Sequence, residues 1–370
     1  MADARPTGRG KRSDAARLLL AAARERFAVA ATDLLLPDQA RLTEWQRLTA
    51  AGLLSRLVRS VEDELRGRRA ERSAAQESLH AGLGSAHVPI ALPILERAQV
   101  LRDAELTTLL VRRVEEHRFW KARAPERAAA FLHELIRHED GEVAAEAMEL
   151  VIARARRFDR FQEPVLGQIE LPAELQHRLV WIVAAALRHY IVQHHQVGAV
   201  DGAIEEEAGA IVAAYDEGQS FEASAMRLCR RLHRLGRLDG AALSRMVEDG
   251  MLPPFIAGIS VLCALDPVAA WEVLADPRGR GPALLLRAAG AERDEAAAIL
   301  LALAARGPLL SGAEGDAAAE QLELFDTVDR TAAREVLRLW QAHPAYRAAV
   351  ARIVAEWRAV ARSREYRTGP

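Results

Sequence analysis

The chain contains no asparagine, only two lysines (Lys11 and Lys121) and only two cysteines (Cys229 and Cys263). Two isolated cysteines cannot build a disulfide framework, and neither has the C-x-x-C spacing of a redox or zinc site, so the usage fits a reducing compartment. Aromatic residues make up 5% of the chain, which leaves Leu, Ala and Val to fill the core, as in close helix–helix interfaces. Long apolar runs are missing too. The stretch 250–265 is free of Asp, Glu, Lys and Arg but shorter than the roughly 18 residues a membrane-spanning helix needs, with Pro253-Pro254 near its start. The apolar residues 18–23 are cut off by Arg24 and Glu25, too early for a secretory h-region. The expectation is a soluble cytoplasmic protein with no membrane insertion. Charge of one sign is also absent: 50 basic residues against 52 acidic give a formal net charge of −2, without the global pull towards nucleic acid or anionic lipid that a basic chain has. Arg serves phosphate recognition well. A skew towards Arg across the whole chain, with no Asn at all, reads first as GC-rich coding.

What is present is helix punctuation. Leu171-Pro172 opens one segment and Gly198 follows it. Asp266-Pro267 opens another, closed by Asp276-Pro277; Gly281-Pro282 opens the next, which ends at Gly290; and Asp294 lies in the first turn of one that stops before Gly307-Pro308. Proline suits the first helical turn, where its missing N–H costs nothing, and glycine suits the left-handed position after the last turn. Almost nothing alternates with the period of a strand. The chain therefore reads as all-α, with about twenty helices at ordinary helix and loop lengths.

Residues 1–13 read as a disordered basic tail, 14–115 as an N-terminal helical lobe, 116–245 as central helical repeats and 246–370 as a C-terminal helical lobe. Leu53, Leu54, Leu57, Val58, Val61 and Leu65 recur at three- and four-residue steps and form one apolar stripe, with the charge-rich 66–72 as its exit. Residues 125–137 and 143–157 read as a helical hairpin. Residues 172–195 read as the longest helix, central and buried because 179–187 is apolar all round. Residues 254–306 give three more helices, 307–315 a loop, and 331–362 a terminal pair split near His343-Pro344. Val88-Pro89, Asp140-Gly141 and Asp266-Pro267 each precede Val, small residues and then a large apolar side chain, a pattern typical of the inner helices of HEAT-type repeats. Their spacing is uneven. The architecture expected is an irregular HEAT-like α-solenoid, or a pair of helical lobes.

Three stretches together carry a resemblance. They are Leu42-Thr43, Arg47, Leu53-Leu54, Leu57-Val58, Val61-Glu62 and Leu65-Arg66; Val88, Ala91-Leu92-Pro93-Ile94-Leu95 and Leu101-Arg102-Asp103-Ala104-Glu105-Leu106; and Leu284-Leu285-Leu286-Arg287-Ala288-Ala289-Gly290 with Ile299-Leu300. In these the chain resembles the largely alphaproteobacterial family catalogued as domain of unknown function 2336, over most of 40–305. The resemblance implies an all-helical, HEAT-like fold. It implies no activity, cofactor or functional residue.

The candidate chemistry is thin. His133-Glu134-Leu135-Ile136-Arg137-His138 is one residue away from a zinc-protease helix: that motif needs histidines four apart, and five apart turns the second by roughly 140°. His177, His189, His194 and His195 include no i, i+4 pair and have no acidic residue at ligand spacing, so partly buried or helix-end histidines are expected. No G-x-S-x-G occurs, and Gly8-Arg9-Gly10-Lys11-Arg12 lacks phosphate-loop spacing. Glu205-Glu206-Glu207 is a solvated acidic run, and Gly279-Arg280-Gly281 a turn. No catalytic residue, metal ligand or cofactor site is expected. One charge pattern stands out. Most of Arg227, Arg230, Arg231, Arg234 and Arg237 share one helix face opposite Leu228, Leu232 and Leu235, with a second basic group at Arg154, Arg156, Arg157 and Arg160. A solvated face is the plainer account of both. The functional account is a docking patch for an acidic partner or for phosphate. The function expected is a non-enzymatic cytosolic scaffold or adaptor, with Arg227–Arg237 as its partner contact. Nucleic-acid binding through the same faces is the alternative, disfavoured by the near-neutral charge and by the lack of a reading motif or interleaved aromatics.

Overall fold

Acidic and hydroxyl side chains cap the starts of six of the described helices. The computed structural model describes residues 41–72, 88–122, 130–195, 200–276, 280–306, 314–343, 345–350, 352–354 and 357, with helix positions 68–72, 195, 306, 314 and 315 described by backbone alone. The basic tail, the segment following it up to residue 40, and the loop at 307–313 lie outside these residues. Among them the α-helices are α1 (Glu44–Arg72), α2 (Ala91–Ala98), α3 (Ala104–Lys121), α4 (Ala130–Leu135), α5 (Gly141–Ala155), α6 (Ala173–His195), α7 (Asp201–Ala213), α8 (Phe221–Arg234), α9 (Gly240–Glu248), α10 (Leu252–Cys263), α11 (Pro267–Leu274), α12 (Gly281–Ala289), α13 (Arg293–Arg306), α14 (Glu314–Thr327) and α15 (Arg330–Leu337). Residues 345–350 are helical as well. No strand occurs among the described residues; Phe158 and Pro164 form an isolated bridge. The protein is all-helical, as its punctuation predicts.

The caps show why. Asp103, Asp140, Asp239, Asp266 and Asp329 each accept a backbone N–H from the first turn of the helix that follows, and Ser220 does so for α8. Gly290 ends α12 at φ 86°, its N–H bonding back to the Leu286 carbonyl. Two boundaries use residues that carry no such signal: Gln99 and Ala264 take the left-handed conformation at φ 59° and 53°. Ala264 thereby adds a break before Asp266-Pro267, so the expected three helices of 254–306 are four. A second expectation also fails: the longest helix is α1, with 29 residues, ahead of α6 with 23. Arg and Glu are good helix formers, and the charge-rich 66–72 continues α1 instead of leaving it.

Residues from Trp45 onwards form one compact unit with two hydrophobic clusters. One gathers α1, α2, most of α3, α6 and α7 around Leu57, Val61, Val114, Val183 and Ile191. The other gathers α4, α5 and α8 to α15 around Leu150, Leu228, Leu243, Phe255 and Leu286. The chain alternates between them. Helix α6 packs against α2 and α7, but Trp181 on its outer side is 42% exposed and Ala185 is exposed too, so it is not enclosed as its all-apolar run predicted. The enclosed helix is α10, whose residues from Leu252 to Ser260 are all buried, between α8, α9, α11 and α12. No single described helix is long and apolar enough to cross a membrane.

Candidate functional site

Helix α3 belongs to both clusters. Leu106, Leu110 and Val114 point into one and Phe119 into the other. Between them Arg112, Arg113, Glu115, Glu116 and His117 are all buried. Charges buried on consecutive positions need partners, because desolvating a lone ion costs several kcal/mol. The partners arrive from four other segments, and the result is an ionic junction of three arginines and three glutamates.

Arg157, just past α5 and 3% exposed, is its centre. It donates to Glu222 on α8 at 2.7 Å and lies 3.2 Å from Glu116 and 3.1 Å from Glu170, with its guanidinium 4.6 Å from the centre of the Phe221 ring. Arg113 donates to Glu116 and to the carbonyls of Val165 and Arg157. Arg112 donates to Glu116 at 2.9 Å and stacks over Trp271. Glu170 also accepts the N–H of Phe221, the first residue of α8. Burial pushes the Glu170 carboxyl up to about 7, against the pull of Arg157 and with a further push from Glu222. For Glu222 burial acts the same way, yet Arg157 and Arg112 hold it down to about 2. Burial and the neighbouring Arg157 bring Arg113 down to about 10. The second basic group is therefore a solvated face only in part: α5 ends at Ala155, the chain turns inward and Arg157 is carried into the junction, while Arg156 and Arg160 stay exposed, Arg160 stacked on Phe161. Sequence reasoning passed over the junction. Its one signal is that Arg112 to His117 holds a single apolar residue, so charged or polar side chains point in every direction around the helix there.

Alongside the junction, His117 is 2% exposed, and neither ring nitrogen meets a hydrogen-bond partner among the described residues. Its ring lies 5.8 Å from that of Trp120 and 5.9 Å from that of Phe158, and burial pushes its pKa down to about 4.

The five arginines of the predicted docking face divide into two sets. Helix α8 buries Phe221, Ala225, Leu228, Cys229 and Leu232, packing on α5 and α10. Arg227 donates to Glu149 and to the Gly218 carbonyl, and Arg231 to Glu142 and Glu146, so both clasp α8 to its own neighbours. Arg230, Arg234 and Arg237 are exposed, and their side chains have no hydrogen-bond or ion-pair partner among the described residues. Leu235, placed opposite them by sequence, is 45% exposed, because α8 ends at Arg234 and Gly236 turns the chain away at φ 67°.

The histidines are scattered. His177 meets Tyr215 edge-on, His194 lies 4.5 Å from Tyr190 ring to ring, His189 is exposed, and the His195 side chain lies outside the described residues. Among the described residues no group of three or more His, Cys, Asp or Glu is placed to hold a metal. His133 and His138 are not related by helical rotation as their spacing suggested. Helix α4 stops at Leu135, and the turn after it brings both to one open cavity with Arg137 and Arg237. Cys229 and Cys263 are free and buried, and burial pushes both thiols up to about 12, which leaves them unreactive.

An all-helical protein with a buried ionic junction and a half-clasped basic helix is the class these features define. The chain belongs to the bacterial family described as an uncharacterised protein conserved in bacteria (DUF2336), whose model matches residues 90–338. The match extends beyond the C-terminal limit of the resemblance seen in sequence and leaves out its first stretch, Leu42 to Arg66. Neither a curated protein nor a solved structure matches the chain.

Proposed function

We propose that this protein is a non-enzymatic scaffold or adaptor of the cytoplasm that docks an acidic protein surface on Arg230, Arg234 and Arg237. One observation carries the reading. The clasps of Arg227 and Arg231 fix α8 against α5, while three cations of the same segment have no carboxylate partner among the described residues. A fixed helix loses little entropy on binding, and unpaired guanidiniums gain most from an acidic partner. The finer architecture that suits such a role is an irregular HEAT-like α-solenoid, whose stacked helix pairs offer extended surfaces to other proteins.

The test is affinity capture from lysate with quantitative mass spectrometry, comparing the full chain with Arg230→Glu/Arg234→Glu, at low and high salt. A protein partner captured by the wild type and lost from the variant is the expected result. A partner set unchanged by the charge reversal, or recovery of nucleic acid alone, overturns the reading.

A further inference from the structure

The cavity beside α4 combines two segments a hundred residues apart. His133, Arg137 and His138 come from α4 and the turn after it, and Arg237 from the turn after α8. Together with Ala130, Glu134 and Glu139 they line an open depression of about 840 Å³. That is too much room for a bare inorganic ion and enough for a side chain with flanking backbone.

The local acids are largely spoken for. Both terminal nitrogens of Arg245 donate to Glu134 and hold its carboxyl below the usual range. The Asp140 carboxylate caps α5 by accepting the N–H groups of Glu142 and Val143. The side chains of Arg137 and Arg237 have no hydrogen-bond or ion-pair partner among the described residues. His138 is fixed as a donor: its Nδ1 accepts the Asp140 N–H at 3.0 Å, so the proton of the neutral ring sits on Nε2. Only Glu139 remains as an unneutralised acid of the lining.

We propose that this cavity binds the phosphate of a phosphorylated side chain on a peptide segment of a protein partner. The inference rests on the docking reading above and gives its partner a chemistry. Two unpaired guanidiniums and an imidazole N–H, drawn from two segments, suit a group with three acceptor oxygens better than a planar carboxylate with two. Arg230 and Arg234, on the last turns of α8 before Arg237, extend the same charge along the flanking peptide.

The experiment uses the full chain on an array of peptides centred on phosphoserine, phosphothreonine or phosphotyrosine with randomised flanks, beside unphosphorylated and glutamate-centred copies. The expected signal on phosphorylated peptides is at least tenfold above both controls. It falls at least tenfold in Arg137→Ala/Arg237→Ala and rises in Glu139→Gln. All three are surface positions, and thermal melts of the variants confirm that they fold. Equal signal on unphosphorylated or glutamate peptides, no signal on any peptide, or an unaffected double variant overturns the proposal. If lysate capture fails in Arg230→Glu/Arg234→Glu but survives in Arg137→Ala/Arg237→Ala, the adaptor reading stands and the phosphate site does not.

Discussion

Arg157 donates to Glu222 at 2.7 Å, and through that bond the exit of α5 is tied to the first turn of α8 between the two hydrophobic clusters. The same guanidinium serves Glu116 and Glu170, so three carboxylates depend on one side chain. Arg157→Met leaves them with Arg112 and Arg113 alone. Removing one partner of a buried ionic group typically costs about 3–5 kcal/mol, and the urea midpoint should drop accordingly. Adding Glu170→Gln to Arg157→Met should recover part of the loss, because one stranded charge disappears. A single variant as stable as the wild type would mean that the junction is solvated in solution.

The pH dependence of stability follows from Glu170. Its folded value of about 7 lies above the ordinary 4.5, so the native chain keeps a proton that the unfolded chain releases between those values. The stabilisation is present below pH 4.5 and is lost as pH rises through 7. Glu222, held down to about 2, acts in the opposite sense and lower down, its contribution fading as pH falls from 4.5 through 2. Glu170→Gln should therefore gain on the wild type as pH rises from 5 to 8, read from urea midpoints at each pH. A constant difference across that range would remove Glu170 as the titrating group.

The junction also shows what sequence can and cannot display. Apolar periodicity marks which positions are inside: Leu53, Leu57, Val58, Val61 and Leu65 are buried, as their stripe predicts, and Leu54 of the same stripe is half-buried. Periodicity does not say which core a helix enters, so the alternation of the chain between two clusters is invisible in it. Helix starts at Asp140 and Asp266 are legible because a cap is a local contact. The ends at Gln99 and Ala264 are not, because tertiary packing imposes a left-handed conformation on residues without a preference for it. Half of the docking face was hidden for a similar reason. A run of arginines looks alike whether its carboxylates stand some eighty residues away, as for Arg231 and Glu146, or are absent among the described residues, as for Arg230 and Arg234.

His117 is the cheapest group to replace. Its buried ring nitrogens lack partners among the described residues, and an unmet polar group costs about 1–3 kcal/mol. His117→Leu should thus match or exceed the wild type by about 1 kcal/mol at pH 7. Its folded value of about 4 lies below the ordinary 6.5, so the wild type loses stability as pH falls from 6.5 through 4 while the leucine variant does not. The advantage of the variant should therefore widen towards pH 5 in paired denaturation curves. A loss at pH 7 that grows towards pH 5 would show that the ring is hydrogen-bonded and charged in the native state.

Two glycines separate backbone need from backbone cost. Gly281 opens α12 with its Cα against α11: a Cβ there would lie 1.6 Å from the Val273 carbonyl oxygen, a rigid backbone atom. Gly281→Ala must push α11 and α12 apart and should cost about 3 kcal/mol or more, the upper range for overpacking. Gly209, inside α7, has nothing within 4 Å of its would-be Cβ. There alanine only narrows the unfolded ensemble and improves helix propensity, so Gly209→Ala should stabilise by about 0.5–1 kcal/mol. Thermal melts of the two variants should move in opposite directions. If both fall, α7 is not formed as a regular helix at Gly209; if neither falls, α11 and α12 do not approach at Gly281.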